Sequence, residues 1–148
     1  MTVGWEDFPA GRAIATPAVT VTESHLVQWA GLTGDWYPLH MDREAAARGP
    51  FGERVAHGPF TFALAVGLMA QTGVYGDAIL AWLGTRELRA TAPVKIGDTV
   101  RVLATVTESR ASQSPDRGVV TLGYSVRNQA QHEVLTADFT LLMRSRKG

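Results

Sequence analysis

The sequence predicts an α+β fold in which an antiparallel sheet wraps around one long, central apolar helix. The helix is indicated by a segment from Pro59 to about Thr72 that is apolar on nearly every face. The C-terminal half then contains roughly four strand-like segments, joined largely by hairpin-type turns. A helix without a polar stripe has to be covered by protein. We therefore expect the sheet to enclose it.

Composition narrows the range of functions. The 148 residues are 45% hydrophobic and 19% charged, which predicts a single globular domain over residues 1–148. Fourteen basic residues balance fourteen acidic ones, which argues against nucleic acid or an anionic membrane as partner. The chain lacks cysteine, a zinc pattern and a glycine-rich phosphate loop, so we expect no metal and no cofactor. An N-terminus without signal-peptide features predicts a cytoplasmic protein.

Four elements are expected before the central helix. They are a β-branched strand at 13–21, a helix ending near Leu32 and capped by Thr22 or Ser24, a loop at 35–41, and a short helix at 43–48 capped by Asp42. The loop is predicted because proline cannot extend a helix, and Pro38 pushes Tyr37 toward extended geometry.

The sheet is expected to leave surfaces that a partner subunit covers. Its strands are predicted at 79–92, from about Val100 to Thr107, at 120–127, and from 133 to about 144. The other face and the edges of such a sheet indicate a homodimer, a dimer of dimers or a higher assembly. Trp36 and Trp82 are suited to lining a tunnel for an apolar ligand, although large aromatics in a small domain favour a place in the core.

The strongest chemical pattern is Asp35 and His40, four residues apart in a loop stiffened by Pro38. Histidine titrates near neutral pH, and a nearby carboxylate can hold a water or accept a proton. The pair therefore suits general acid/base catalysis. The alternative is a capping carboxylate beside a surface imidazole.

A second pattern is the sequence Ala56-His57-Gly58-Pro59 at the start of the apolar helix. The first N–H groups of a helix have no intrahelical partner, and glycine allows a substrate carbonyl to approach closely. Gly58 is thus a candidate oxyanion site. For His57 we favour a structural hydrogen bond, with substrate binding as the alternative.

Together these segments resemble the MaoC-like (R)-specific enoyl-CoA hydratases of the hotdog fold. The family pattern Gly-Asp-x-Asn-Pro-x-His-x-Asp matches residues 34–42, and Phe-Gly-x-x-Val-Ala-His-Gly matches residues 51–58. Residues 84–89 and 93–100 resemble a later strand and turn of the family, so the similarity covers roughly residues 12 to 145.

The resemblance implies a lyase that reversibly hydrates trans-2-enoyl thioesters, linked to coenzyme A or to an acyl carrier. It implies that Asp35 and His40 hold and activate the water, and that a backbone amide near Gly58 binds the thioester carbonyl. Tyr37 stands where the family has asparagine. Its phenol is therefore a candidate substrate-binding group that donates its hydroxyl or narrows the acyl pocket.

Two other functions remain open from the sequence. Hotdog proteins also include thioesterases, but these usually carry a carboxylate on the central helix, and Pro59 to Thr72 has none. The other alternative is a non-catalytic acyl-binding subunit, in which Tyr37 marks the loss of the polar site.

Overall fold

A computed structural model describes residues 2–147, in which four helices and six strands follow a short 3-10 helix at Trp5–Asp7. The helices are α1 (Glu23–Thr33), α2 (Pro38–Met41), α3 (Arg43–Ala47) and α4 (Gly58–Gln71). The strands are β1 (Ala13–Ala15), β2 (Val19–Thr20), β3 (Ile79–Ala90), β4 (Thr99–Ala111), β5 (Arg117–Arg127) and β6 (Glu133–Arg144).

The six strands form one antiparallel sheet in the order β1-β4-β5-β6-β3, with β2 also paired to β4. Its long hairpins place apolar residues opposite one another on the inner face, as Leu122 lies opposite Phe139. This face packs against α4, and the most deeply buried side chains come from both layers, including Leu68 and Met69 of the helix and Leu141 of the sheet. The predicted fold class is confirmed.

Only one side of α4 is covered by the chain's own sheet. The buried positions of the helix are Phe60, Thr61, Ala65, Leu68 and Met69. The exposed positions are Pro59, Ala63, Gly67, Ala70 and Gln71. The sheet therefore wraps around the helix as predicted, but it does not enclose it, because a single curved sheet can cover only one side. The uncovered side is apolar apart from Gln71.

Helix α2 corrects a second expectation, since a loop was predicted there. Proline cannot continue a helix, but it fits the first helical position because its fixed φ suits a helix and its missing N–H would have no partner there. Pro38 occupies that position, after an extended Tyr37. The extended geometry expected for Tyr37 is thus observed, but Pro38 begins a helix where a loop was expected. His40 therefore lies on a helical turn.

The remaining elements before α4 agree closely with expectation. Thr22 is the N-cap residue of α1. The Asp42 carboxylate caps α3 by accepting a hydrogen bond from the backbone N–H of Ala45 at 2.9 Å. The single strand predicted at 13–21 is divided into β1 and β2, with Pro17 between them.

Strand β3 forms one edge of the sheet and is exposed along most of its length. It pairs with β6 on one side only. Five large apolar side chains on it are 42 to 58% exposed: Ile79, Leu80, Trp82, Leu83 and Leu88. Trp36 is also 55% exposed, so the core positions favoured for Trp36 and Trp82 are wrong. No helix within residues 2–147 is long and apolar enough to cross a membrane.

Candidate active site

The segment Val55–Gly58 connects Asp35 and His40 with the start of α4. The Ala56 N–H donates to the carbonyl of Val94 at 2.7 Å, which fixes the segment beside the connection between β3 and β4. On its other side the Val55 carbonyl accepts from His40 Nδ1 at 2.7 Å, and His57 Nε2 donates to the backbone carbonyl of Asp35 at 3.0 Å. Residues 35–40, which carry the candidate acid/base pair, are therefore held to the start of α4 by hydrogen bonds.

The bond to Val55 decides how His40 presents its ring. A carbonyl oxygen only accepts, so Nδ1 of His40 must carry a proton. In the neutral ring Nε2 is then the unprotonated nitrogen, with a lone pair available for a substrate or a water. The side chain is half-buried, so this nitrogen remains accessible.

Asp35 is oriented by its own turn. Gly34 ends α1 with a left-handed conformation at φ 80°, which any residue with a Cβ adopts less readily. Asp35 Oδ1 then accepts from the Tyr37 N–H at 3.4 Å. The carboxylate is exposed in the isolated chain, and its position follows from the backbone turn.

His57 lies directly behind His40 and is 1% exposed. The two imidazoles are stacked, with ring centroids 4.0 Å apart and planes inclined by 27°. Burial lowers the pKa of His57 below its ordinary value of 6.5, against the opposing effect of its bond to the Asp35 carbonyl, and a charge on His40 lowers it further. His57 is therefore favoured in its neutral form, with Nε2 protonated and Nδ1 buried without a partner.

Asp35, His40 and His57 each offer one atom within 4.8 Å of the other two. Two histidines and a carboxylate are also donors that zinc accepts. However, an imidazole binds a metal through a lone pair in its own plane, and two nearly parallel rings do not direct their lone pairs at one point. A shared ion would require a ring to rotate and leave Val55 or Asp35. The arrangement suits proton transfer better than metal binding.

A cavity of about 360 Å³ opens beside this cluster. His40 and Gly58 both line it, together with Phe51, Thr61 and residues 90–94 at the end of β3 and after it. Its walls are mostly apolar, and its volume lies in the range of small-molecule sites. The His40 imidazole and the start of α4 thus line the same cavity.

The start of α4 has an unusual set of donors. Gly58 and Pro59 occupy its first two positions. Gly58 has a backbone N–H with no partner inside the helix, whereas Pro59 has none to offer. The positive end of the helix dipole is thus presented through few N–H groups, and Gly58, which carries one of them, lines the cavity.

The structure separates Tyr37 from this cavity. Tyr37 is 65% exposed and lines another hollow, with Pro38 and Gly49. Its ring centroid lies 6.5 Å from that of His40. Substrate binding by Tyr37 therefore stays a prediction.

One cavity residue was missed by the reasoning from sequence. Thr61 was treated as part of an apolar run, yet it is 3% exposed and lines the cavity with His40 and Gly58. The available signal was a lone hydroxyl in an otherwise apolar helix, one turn after the glycine.

Comparison with known proteins identifies the family. Residues 7–130 match the model of the MaoC like domain. The chain is 43% identical over 101 residues to protein MaoC of Klebsiella aerogenes, covering 68% of this chain and 30% of that protein. It is 33% identical over 103 residues to an (R)-specific enoyl-CoA hydratase of Rhodospirillum rubrum, covering 70% of this chain and 69% of that one. The chain thus spans less than a third of the Klebsiella protein.

Solved structures show the same fold. A MaoC-like dehydratase from Rhodospirillum rubrum superposes with a TM-score of 0.88 at 28% identity, covering 98% of this chain and 99% of that one. A double-hotdog protein from Mycobacterium tuberculosis superposes with a TM-score of 0.83 at 20% identity, covering 97% of this chain and 44% of that one, which shows the fold alone. The sheet around α4 is thus a hotdog fold, and the chain belongs to the MaoC-like domain family.

Proposed function

We propose that this protein is a hydro-lyase that adds water to trans-2-enoyl thioesters to give (R)-3-hydroxyacyl thioesters, and catalyses the reverse dehydration. The observation that carries the proposal is the cavity that His40 and Gly58 both line. Relatives named as hydratases and dehydratases support the same class of reaction.

Asp35 and His40 are proposed as the acid/base pair. In hydration they hold one water, and the unprotonated Nε2 of His40 takes a proton as the water oxygen bonds to C3 of the substrate. The electrons of the C2=C3 double bond shift toward the thioester carbonyl, giving an enolate. The pair then returns the proton to C2, so that H and OH have been added in total.

Gly58 is proposed to stabilise the enolate. Its N–H lies at the positive end of α4, where negative charge on an oxygen is favoured. The segment Val55–Gly58 fixes this donor relative to His40 through one hydrogen bond of 2.7 Å. A thioester that places its carbonyl at Gly58 can therefore place C3 near the acid/base pair.

The mostly apolar cavity indicates an acyl chain as the part of the substrate that is enclosed. The thioester is carried by coenzyme A or an acyl carrier, which fits a role in fatty acid metabolism. A cytoplasmic location and a single domain over residues 1–148 stay predictions from the sequence.

His57 is proposed as a positioning residue rather than a substrate ligand. It is buried behind His40, holds the Asp35 backbone and stacks on the His40 ring. A neutral ring in this place adds no positive charge beside His40 when His40 takes up a proton. The burial of His57 thus favours protonation of His40 during catalysis.

A second copy of the chain is proposed to cover β3. An exposed edge strand with large apolar side chains is a surface that soluble proteins normally cover. The apolar side of α4 left open by the sheet calls for a cover of the same kind. A homodimer joined along β3 covers the exposed edge strand, and higher assemblies can be built from such a dimer.

The acid/base pair is tested by replacing each member. Asp35→Asn and His40→Ala should each lower kcat/KM for crotonyl-CoA by about 10² to 10⁴-fold, because each removes a proton-transfer group. The loss of enoyl absorbance measures hydration, and circular dichroism checks that folding is intact.

Exposed residues of the same types provide the controls. Glu44→Gln and His132→Ala remove a carboxylate and an imidazole that lie outside the site, and both should retain the wild-type rate. Full activity in Asp35→Asn or His40→Ala would show that the pair is wrongly assigned. Release of free thiol without hydration would indicate a thioesterase, and tight binding without turnover a non-catalytic subunit.

His57 is tested by two variants that each keep one of its contacts. His57→Gln can still donate to the Asp35 carbonyl, whereas His57→Phe keeps only a flat ring against His40. If the tether to Asp35 dominates, Gln retains most of kcat and Phe loses at least about tenfold, with KM changed less in both.

The pH dependence of folding provides a second readout for His57. Because its pKa is lowered in the folded protein, unfolding takes up a proton once the pH falls below about 6.5, so this contribution to stability is present above that pH and lost below it. Asp35 and His40 are the titratable groups facing it. Urea unfolding should show a smaller loss of stability from pH 8 to pH 5 in His57→Gln than in the wild type. An equal loss would contradict a neutral, buried His57.

The dimer is tested by placing charges on β3. Leu80→Glu combined with Leu83→Glu should halve the mass measured by light scattering, because two copies would bring four carboxylates together. Leu32→Glu changes a side chain on α1 that is 82% exposed and should leave the mass unchanged. A monomeric wild type, or an unchanged mass in the β3 variant, would refute this interface.

A further inference from the structure

We propose that the Thr61 hydroxyl is a second hydrogen-bond donor to the thioester oxygen, acting beside the Gly58 N–H. This assignment rests on the function proposed above. It gives the oxyanion site a side-chain donor in addition to the backbone amide.

The first observation is that the Thr61 hydroxyl has no partner in the protein. The side chain is 3% exposed, and its backbone N–H is already used by the carbonyl of His57 at 3.2 Å. Within residues 2–147 the hydroxyl makes no hydrogen bond. Buried hydroxyls usually have a partner. Even the half-buried Thr72, the C-cap residue of α4, donates to the Met69 carbonyl at 2.6 Å.

The second observation is that this hydroxyl faces the cavity. In the described part of the chain, the fully enclosed side-chain polar atoms without a partner are Trp5 Nε1 and His57 Nδ1. The Thr61 oxygen also lacks a partner, but it is not among these fully enclosed atoms, so part of its surface is accessible. The space that Thr61 lines is the cavity shared with His40 and Gly58.

Helix geometry directs the hydroxyl toward Gly58. Thr61 follows Gly58 by three residues, so the two lie on the same face and about 4.5 Å apart along the axis. Side chains of a helix also point back toward its N-terminus. The hydroxyl is thus brought over the first turn, where the carbonyl of a thioester would approach.

The chemistry of the helix start explains why another donor is useful there. An enolate oxygen has lone pairs for more than one hydrogen bond. Gly58 provides one N–H, whereas Pro59 has none. A hydroxyl one turn further along replaces the donor that proline removes, and it has no protein partner to give up when a ligand binds.

The experiment compares Thr61→Val, which keeps the shape and removes the hydroxyl, with Thr61→Ser, which keeps the hydroxyl. Thr61→Val should lower kcat/KM for crotonyl-CoA by about 10²-fold, and Thr61→Ser should stay within about threefold of the wild type. The melting temperature of Thr61→Val should not fall, because the hydroxyl it loses has no partner in the folded protein.

Thr72→Val is the control at the other end of α4, where Thr72 is the C-cap residue. Its hydroxyl donates to Met69 and accepts from the Val74 N–H, so this variant should lose stability and keep its activity. The opposite pattern at Thr61 separates a role toward the substrate from a structural one. Unchanged kcat/KM in Thr61→Val, or a failure of serine to restore it, would overturn the proposal.

Binding of butyryl-CoA, a saturated analogue, keeps this test independent of turnover. Calorimetry should show about tenfold weaker binding to Thr61→Val and near wild-type binding to Thr61→Ser. A wild type that hydrates no enoyl thioester would refute the proposed function, yet the binding difference would still support a hydroxyl–carbonyl bond. Equal binding by all three proteins would refute the bond itself.

Discussion

The site depends on the hydrogen bonds made by the short segment Val55–Gly58. Its backbone is fixed to Val94 on one side, and on the other it accepts from His40 and, through His57, holds the Asp35 backbone. The same residues lead directly into α4. One segment therefore sets both the tautomer of His40 and the distance from the acid/base pair to the start of the helix.

This arrangement also explains why the helix at the centre of the fold can take part in chemistry. The start of α4 is partly buried, with Gly58 half-buried and Pro59 exposed, so water only partly screens its partial positive charge. The sheet provides the burial, and Gly58 leaves the helix start accessible from the cavity. The apolar sequence of α4 is thus needed for packing and, indirectly, for the electrostatics of the site.

Features governed by local sequence could be predicted well, whereas those governed by packing could not. The Asp42 cap, the start of α1 and the β5–β6 turn follow from the preferences of a few adjacent residues. Helix α2 was missed because Pro38 can either end or begin a helix, and only the fold decides between them. The open side of α4 was missed because sequence periodicity shows which residues avoid water, but not which chain covers them.

The same limit applies to individual site residues. Asp35, His40 and Gly58 could be singled out because their types and spacing indicate chemistry. Thr61 carries no such pattern, since its significance arises from burial without a partner beside a cavity. The stacking of His57 on His40 joins residues seventeen positions apart and likewise required the structure.

In the proposed mechanism one thioester contacts the start of α4 and the acid/base pair at the same time. A crystal structure of the protein with butyryl-CoA would show whether it does. We expect the carbonyl oxygen about 2.7 to 3.2 Å from the Gly58 nitrogen, with C3 of the acyl group facing His40 Nε2. An acyl group bound instead in the hollow beside Tyr37, or a carbonyl far from Gly58, would contradict it.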